Sequence, residues 1–220
     1  MSRVRIKICC IQSINEARVA VQYGADALGL VSEMPSGPGV ISEQKISHIA
    51  TSIPPGVCSF LLTSKQSAAD IIDQQRRCGV DTIQIVDRLK EGGYSQLRDM
   101  LPGTSIVQVV HVTSENALNE AENTAMFVDS ILLDSGNTDL RIKELGGTGR
   151  THDWNISREI CDRIPVPVFL AGGLNPENVR EAIEKVKPFG VDVCNGVCTD
   201  GKLDREKLKS FIDEVRLAAI

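Results

Sequence analysis

The chain has few aromatic residues: one Trp, two Tyr and five Phe among 220. An aromatic core is therefore excluded, and the interior must be packed with aliphatic side chains. Positive charge is also short. Lys plus Arg number 24 against 29 Asp plus Glu, a net charge of −5. That argues against a generic binder of nucleic acid or of an anionic membrane surface, which would require a basic face. Long apolar runs are missing as well. The opening stretch Val4-Arg5-Ile6-Lys7-Ile8 alternates charged and apolar side chains, so neither a secretion leader nor a membrane span is expected there. Linkers and low-complexity segments are absent, so one domain over residues 1–220 is expected.

The seven cysteines contain no Cys-x-x-Cys, and the separation of Cys194 from Cys198 is only a weak metal pattern. An odd number leaves at least one thiol unpaired. The expectation is a cytoplasmic protein with reduced thiols, most of them small core residues.

What is present is alternation. Strand-like runs are expected at Arg5–Ile11, Ala27–Val31, Val57–Thr63, Thr82–Asp87, Ser105–Val112, Ser130–Asp134, Val166–Ala171 and Val191–Cys194. Several are continuously apolar, as parallel strands covered on both faces must be. Helical segments lie between them. Ser13-Ile14-Asn15-Glu16 reads as a capping box. Asn175-Pro176-Glu177 supplies a cap, then Pro at the first helical position, then an acid. Asp204 precedes a last helix from Arg205 to Leu217. The phrases Gly24-Ala25-Asp26, Gly79-Val80-Asp81 and Gly190-Val191-Asp192 each stand at a helix-to-strand junction, where glycine can take the left-handed conformation that ends a helix. Eight such strands recurring about every 25 residues predict a (β/α)8 TIM barrel in a single α/β domain. The competing doubly wound sheet would need dinucleotide-binding glycines after the first strand, where Ile11-Gln12-Ser13-Ile14 stands instead.

In a barrel the chemistry sits at the carboxyl ends of the strands. That rule selects Cys9 after strand 1 and Asp134 closing strand 6. It also selects three glycine-bearing loops after strands 6, 7 and 8: Gly146-Gly147-Thr148-Gly149, Gly172-Gly173 and Asn195-Gly196. Glycine lets backbone N–H groups approach an anion closely, so a phosphate is the expected ligand there. No Lys-Ser/Thr follows Gly149, which excludes a nucleotide P-loop. On position alone Cys9 reads first as a buried inert thiol, and Asp134 equally as a structural cap or a functional acid. His111 falls on strand 5 and can face the mouth, whereas His48 and His152 are expected at the surface.

The order of the motifs resembles the phosphoribosylanthranilate isomerase family of tryptophan biosynthesis. The resemblance is carried by Lys7-Ile8-Cys9, Gly24 to Gly29, Leu132-Leu133-Asp134, Gly146 to Trp154, Leu170 to Val179, and Gly190 to Val193 with Gly196-Val197. It implies an Amadori rearrangement of N-(5′-phosphoribosyl)anthranilate to the aminoketone, an aldose–ketose type isomerisation needing no cofactor and no metal. It implies Asp134 as general acid and Cys9 as general base. Gly147, Thr148, Gly149, Gly172, Gly173, Asn195 and Gly196 would hold the phosphate. A phosphorylated sugar is the implied partner, and the protein is expected as a monomer or homodimer.

The chain departs from that family at the aglycone end. Ser36-Gly37-Pro38 stands where Ser-Pro-Arg is usual, Cys10 where a glycine follows the cysteine, and His111 where strand 5 carries arginine. Lys7, Gln84, Arg88 and His111 are candidate substrate contacts, Arg88 or His111 as the compensating cation. A paralogue binding another sugar phosphate, or a non-catalytic phosphate-binding or redox-sensing barrel, are the alternatives.

Overall fold

A computed structural model describes residues 3–114, 116–136, 143–147 and 149–218. Eight parallel strands alternate with helices. They are β1 (Arg5–Ile8), α1 (Ile14–Tyr23), β2 (Ala27–Val31), α2 (Glu43–Ala50), β3 (Cys58–Thr63), α3 (Ala68–Cys78), β4 (Thr82–Ile85) and α4 (Tyr94–Met100). Then follow β5 (Ser105–His111), α5 (Asn116–Ala125), β6 (Ser130–Asp134), α6 (Trp154–Arg163), β7 (Val168–Leu170), α7 (Val179–Val186), β8 (Gly190–Val193) and α8 (Arg205–Leu217). The strands pair in sequence order, and β1 pairs with β8 from Arg5↔Gly190 to Ile8↔Val193, which closes the barrel. A short hairpin, β9 (Cys198–Thr199) and β10 (Lys202–Leu203), precedes α8.

Strand alternation sorts the core into two layers. Ile6, Ile8, Leu28, Leu30, Leu61, Ile83 and Ile85 face the helices. Val31, Phe60, Leu62, Val107, Val109, Leu132 and Phe169 fill the barrel. The same parity turns Lys7, Gln84 and Asp192 inward, and all three are buried. With both faces covered, the strands read as continuous apolar runs.

The Gly-x-Asp phrases meet two fates. Gly24 and Gly79 end α1 and α3 with positive φ of 109° and 65°. Their aspartates turn back to the neighbouring strand at the amino-terminal face: Asp26 Oδ2 accepts from Ile6 N at 2.9 Å, and Asp81 Oδ2 from Ser59 N at 2.8 Å. Before the third phrase the left-handed residue that ends the helix is Lys187, at φ 52°. Gly190 instead opens β8, where a Cβ would meet the Phe169 ring at 2.6 Å. Asp192 thereby falls inside the strand and points into the barrel.

Two capping expectations shift. Ser13 Oγ accepts from Glu16 N as expected, but Glu16 Oε2 reaches Gln12 N, at 2.7 Å, rather than the cap's own N–H. Asn175 caps a separate turn, accepting from Glu177 N and Asn178 N, and α7 itself begins later, at Val179.

Candidate active site

A cavity of about 270 Å³ opens at the carboxyl end of the barrel. Cys9, Gln84 and Asp134 line its depth, and the glycine loops after β6, β7 and β8 form its rim. Among the described lining residues none is Lys, Arg or His.

Cys9 N donates to Val193 O at 2.8 Å, extending the β1–β8 pairing by one residue and fixing the thiol on the inner face. Two positions earlier on that face lies Lys7, fully buried, its ammonium 2.9 Å from Asp192 Oδ2 and 5.3 Å from the Phe60 ring centre. Asp192 also reaches the cavity, and its Oδ1 has no hydrogen-bond partner among the described residues. Gly29 makes room for this group. A Cβ there would lie 2.7 Å from Cys9 Sγ and 3.0 Å from Lys7 Nζ.

Burial pushes the Cys9 thiol up to about 12, with the Lys7 charge opposing and the Asp192 charge reinforcing the shift. Burial alone would lower Lys7. The Asp192 carboxylate and the Cys9 sulfur outweigh it and hold the ammonium above its ordinary value. Asp192 is raised by burial against the pull of Lys7.

Asp134 closes β6, three strands around the barrel from the cysteine strand. Its Oδ1 accepts from Ser135 N at 2.7 Å, and Gly146 packs so closely that a Cβ would lie 2.7 Å from Oδ2. Burial raises this carboxyl, while the neighbouring His111 and the Ser135 N–H work against the rise. A carboxyl raised by burial holds its proton to higher pH than a free one and can donate it, and a buried thiol beside an ammonium can accept one when ionised.

His111 is the register partner of Asp134. Its Nε2 lies 3.0 Å from Val86 O, which can only accept, so Nε2 carries the proton. The ring faces a second cavity of about 170 Å³, shared with Arg88, whose guanidinium holds Glu120 at 2.9 and 2.5 Å. Arg88 and His111 thus lie outside the main cavity, Lys7 lies under it, and Gln84 lines it with its Oε1 unpartnered among the described residues.

The rim loops interlock. Asn195 Nδ2 donates to Gly147 O at 2.9 Å. Gly173, at φ 63°, lies against the Arg150–Thr151 backbone, and Gly196 against Leu174 O, where a Cβ would come within 2.5 and 2.0 Å. Pro38, in place of the expected arginine, packs on Gly147. Gly147, Gly149, Gly172, Gly173, Asn195 and Gly196 all line the cavity; Thr148 lies outside the described residues.

Three features were not legible in the sequence. Asp192 reads in the sequence only as part of a motif; the signal for it is its inward parity once β8 is placed. His152 is half-buried rather than at the surface, its Nε2 2.7 Å from Ser157 Oγ and its ring against Gly172. The thiols are not all reduced. Cys10 and Cys194 form a disulfide, while Cys9, Cys58, Cys78, Cys161 and Cys198 are free. Closure of β1 on β8 sets those two strand ends side by side, and a left-handed backbone at Cys10, φ 63°, turns its side chain to Cys194.

Comparison with known proteins identifies a family for the chain. The model of N-(5′-phosphoribosyl)anthranilate isomerase matches residues 6–214. An N-(5′-phosphoribosyl)anthranilate isomerase of Methanocella arvoryzae is 32% identical over 214 residues, covering 97% of this chain and 98% of that protein. The crystal structure of phosphoribosyl anthranilate isomerase from Thermotoga maritima superposes with a TM-score of 0.80 at 33% identity, over 96% of this chain and 98% of that one. A structure of such an isomerase in complex with reduced 1-(o-carboxyphenylamino)-1-deoxyribulose 5-phosphate gives 0.77 at 31% identity, with the same coverage.

Proposed function

The chain belongs to the N-(5′-phosphoribosyl)anthranilate isomerase family, and from that premise we propose how its residues run the Amadori rearrangement of tryptophan biosynthesis. The carrying observation is that Cys9 and Asp134, both buried, face one cavity rimmed by three glycine loops.

Asp134 delivers its proton to the furanose ring oxygen. The bond from that oxygen to C1′ breaks, and the nitrogen lone pair forms a C1′–N iminium. The positive charge acidifies the C2′ proton and stabilises a neighbouring thiolate. Cys9, as thiolate, takes the C2′ proton to give the enol-amine, which tautomerises to the aminoketone. Atoms and charge balance without an external redox partner. The working form carries a proton on Asp134 and none on Cys9, and each transfer contributes about 10² to 10⁴ in rate. Lys7 favours the thiolate by charge alone, from beneath. The 5′-phosphate sits on backbone N–H groups of Gly172, Gly173 and Gly196 with Asn195, a mode that needs no cationic side chain.

Purified protein should convert N-(5′-phosphoribosyl)anthranilate, followed by loss of anthranilate-type fluorescence, and should restore growth of a tryptophan auxotroph lacking this step. Cys9→Ala and Asp134→Asn should each reduce turnover at least about 10²-fold. Full activity in either variant would overturn its assigned role.

A further inference from the structure

The Cys10–Cys194 disulfide, which joins positions 184 residues apart, completes a circuit of loops around the cavity mouth. Cys194 leads directly into Asn195, whose Nδ2 holds Gly147 O at 2.9 Å. Gly147 packs on Pro38, where a Cβ would come within 2.6 Å of Cδ. Gly39, one residue on, packs on Cys10, where a Cβ would come within 2.6 Å of the Cys10 Cβ. The loops after β1, β8, β6 and β2 are thus linked in a ring. Three links are packing or hydrogen bonds, and only the S–S bond can be made or broken chemically. The fourth link also holds a strained residue. Cys10 is not glycine, yet sits at φ 63°, a conformation that costs an L-residue free energy. Both cysteines line the cavity and are partly exposed, so a reagent in solution reaches them through the mouth.

We propose that Cys10–Cys194 is a reversible thiol-exchange site for a small thiol or dithiol, and that its redox state sets how tightly the glycine rim holds phosphate. A reagent thiolate attacks one sulfur, the Cys10–Cys194 bond breaks, and a mixed disulfide forms. A second reagent thiolate then releases the protein thiol and departs as the oxidised reagent. Two electrons pass to the protein sulfurs, which take up two protons. Once reduced, Cys10 can leave the left-handed region, Gly39 loses its fixed neighbour, and Cys194-Asn195 is held only by hydrogen bonds and packing. The phosphate loops must then be ordered on binding instead of beforehand. The inference rests on the reading of that rim as the phosphate site.

The test equilibrates the full chain in glutathione buffers of graded oxidation, traps free thiols by alkylation and reads them by mass spectrometry. Inorganic phosphate affinity is measured by calorimetry at each end of the series. Cys10 and Cys194 should be protected and released together, while exposed Cys58 is alkylated throughout. Reduced protein should bind phosphate about 3- to 10-fold more weakly. By linkage, saturating phosphate must shift the thiol–disulfide equilibrium by the same factor. Cys194→Ser and, independently, Cys10→Gly should bind with one affinity in every buffer. Alkylation of either residue in oxidised protein, resistance to reduction while folded, or equal phosphate affinity in the two states would each overturn the proposal. Redox-dependent phosphate binding without turnover of N-(5′-phosphoribosyl)anthranilate would leave it standing and overturn the proposed function instead.

Discussion

Lys7 and Asp192 are register partners on β1 and β8, and their side chains meet at 2.9 Å inside the barrel beneath Cys9. Neither is exposed to any useful extent, so their mutual attraction offsets a large desolvation cost. The pair is therefore poor evidence for stability by itself. Its placement beside a thiol raised by burial gives it a chemical consequence.

Lys7→Met should leave Asp192 buried and unpaired, lowering stability by about 3–5 kcal/mol in urea unfolding. It should also withdraw the charge that favours the Cys9 thiolate, so residual activity should move to higher pH. The double variant Lys7→Met/Asp192→Leu should recover stability without recovering activity. A double variant as active as the parent would show that the pair only supports the fold.

The pH profile of kcat/KM follows from the two proton-transfer groups. The working form pairs a protonated Asp134 with an ionised Cys9, so once Asp134 begins to ionise each further rise in pH gains in thiolate what it loses in protonated carboxyl. With the Cys9 thiol pushed up to about 12, kcat/KM should stay level across the range between the two groups and fall only as pH approaches that of the thiol. A profile that falls steadily from pH 6 to 9 would contradict Cys9 as the base.

Gly29→Ala has no unusual backbone to accommodate, yet the new methyl would lie 2.7 Å from Cys9 Sγ. The thiol must shift. Stability should fall by about 1–3 kcal/mol, while turnover falls further than that loss explains. Parallel measurement of unfolding and kcat separates the two effects.

His152 is held neutral by burial, its pKa lowered to about 4 from the ordinary 6.5. Below pH 6.5 the unfolded chain binds a proton that the folded chain refuses. Its contribution is present above that pH and is lost as pH falls towards 4. Urea midpoints should drop between pH 7 and pH 4.5, and His152→Gln should flatten part of that drop. A parallel loss in both proteins would place the acid sensitivity elsewhere.

Most of the barrel was legible because alternation is a local property. β2 and β6 have the expected bounds, Ala27–Val31 and Ser130–Asp134, β8 keeps its expected length shifted back by one residue, and the other strands are shorter than their apolar runs. The runs continue into loops because the flanking residues stay buried after ladder pairing stops, as Val86 does beyond β4. Cys9, Asp134 and the glycine loops could be named because a parallel barrel sends every strand end to one face. Arg88 was less legible. Charge alone nominated it, whereas Glu120 on α5 holds its guanidinium beside the second cavity.

By itself the sequence determined the repeating strand–helix order, the parity of each strand and the glycines that end helices or line the mouth. These depend on neighbours within a few positions. Only the tertiary structure decided that Asp192 pairs with Lys7, that His152 is half-buried against Gly172, and that Cys10 bonds to Cys194 rather than remaining a thiol. Those contacts join residues far apart in the chain. The first and the last exist because closing β1 against β8 brings the two ends of the barrel into register, and the second because the loops after β6 and β7 pack together; no local pattern encodes either condition.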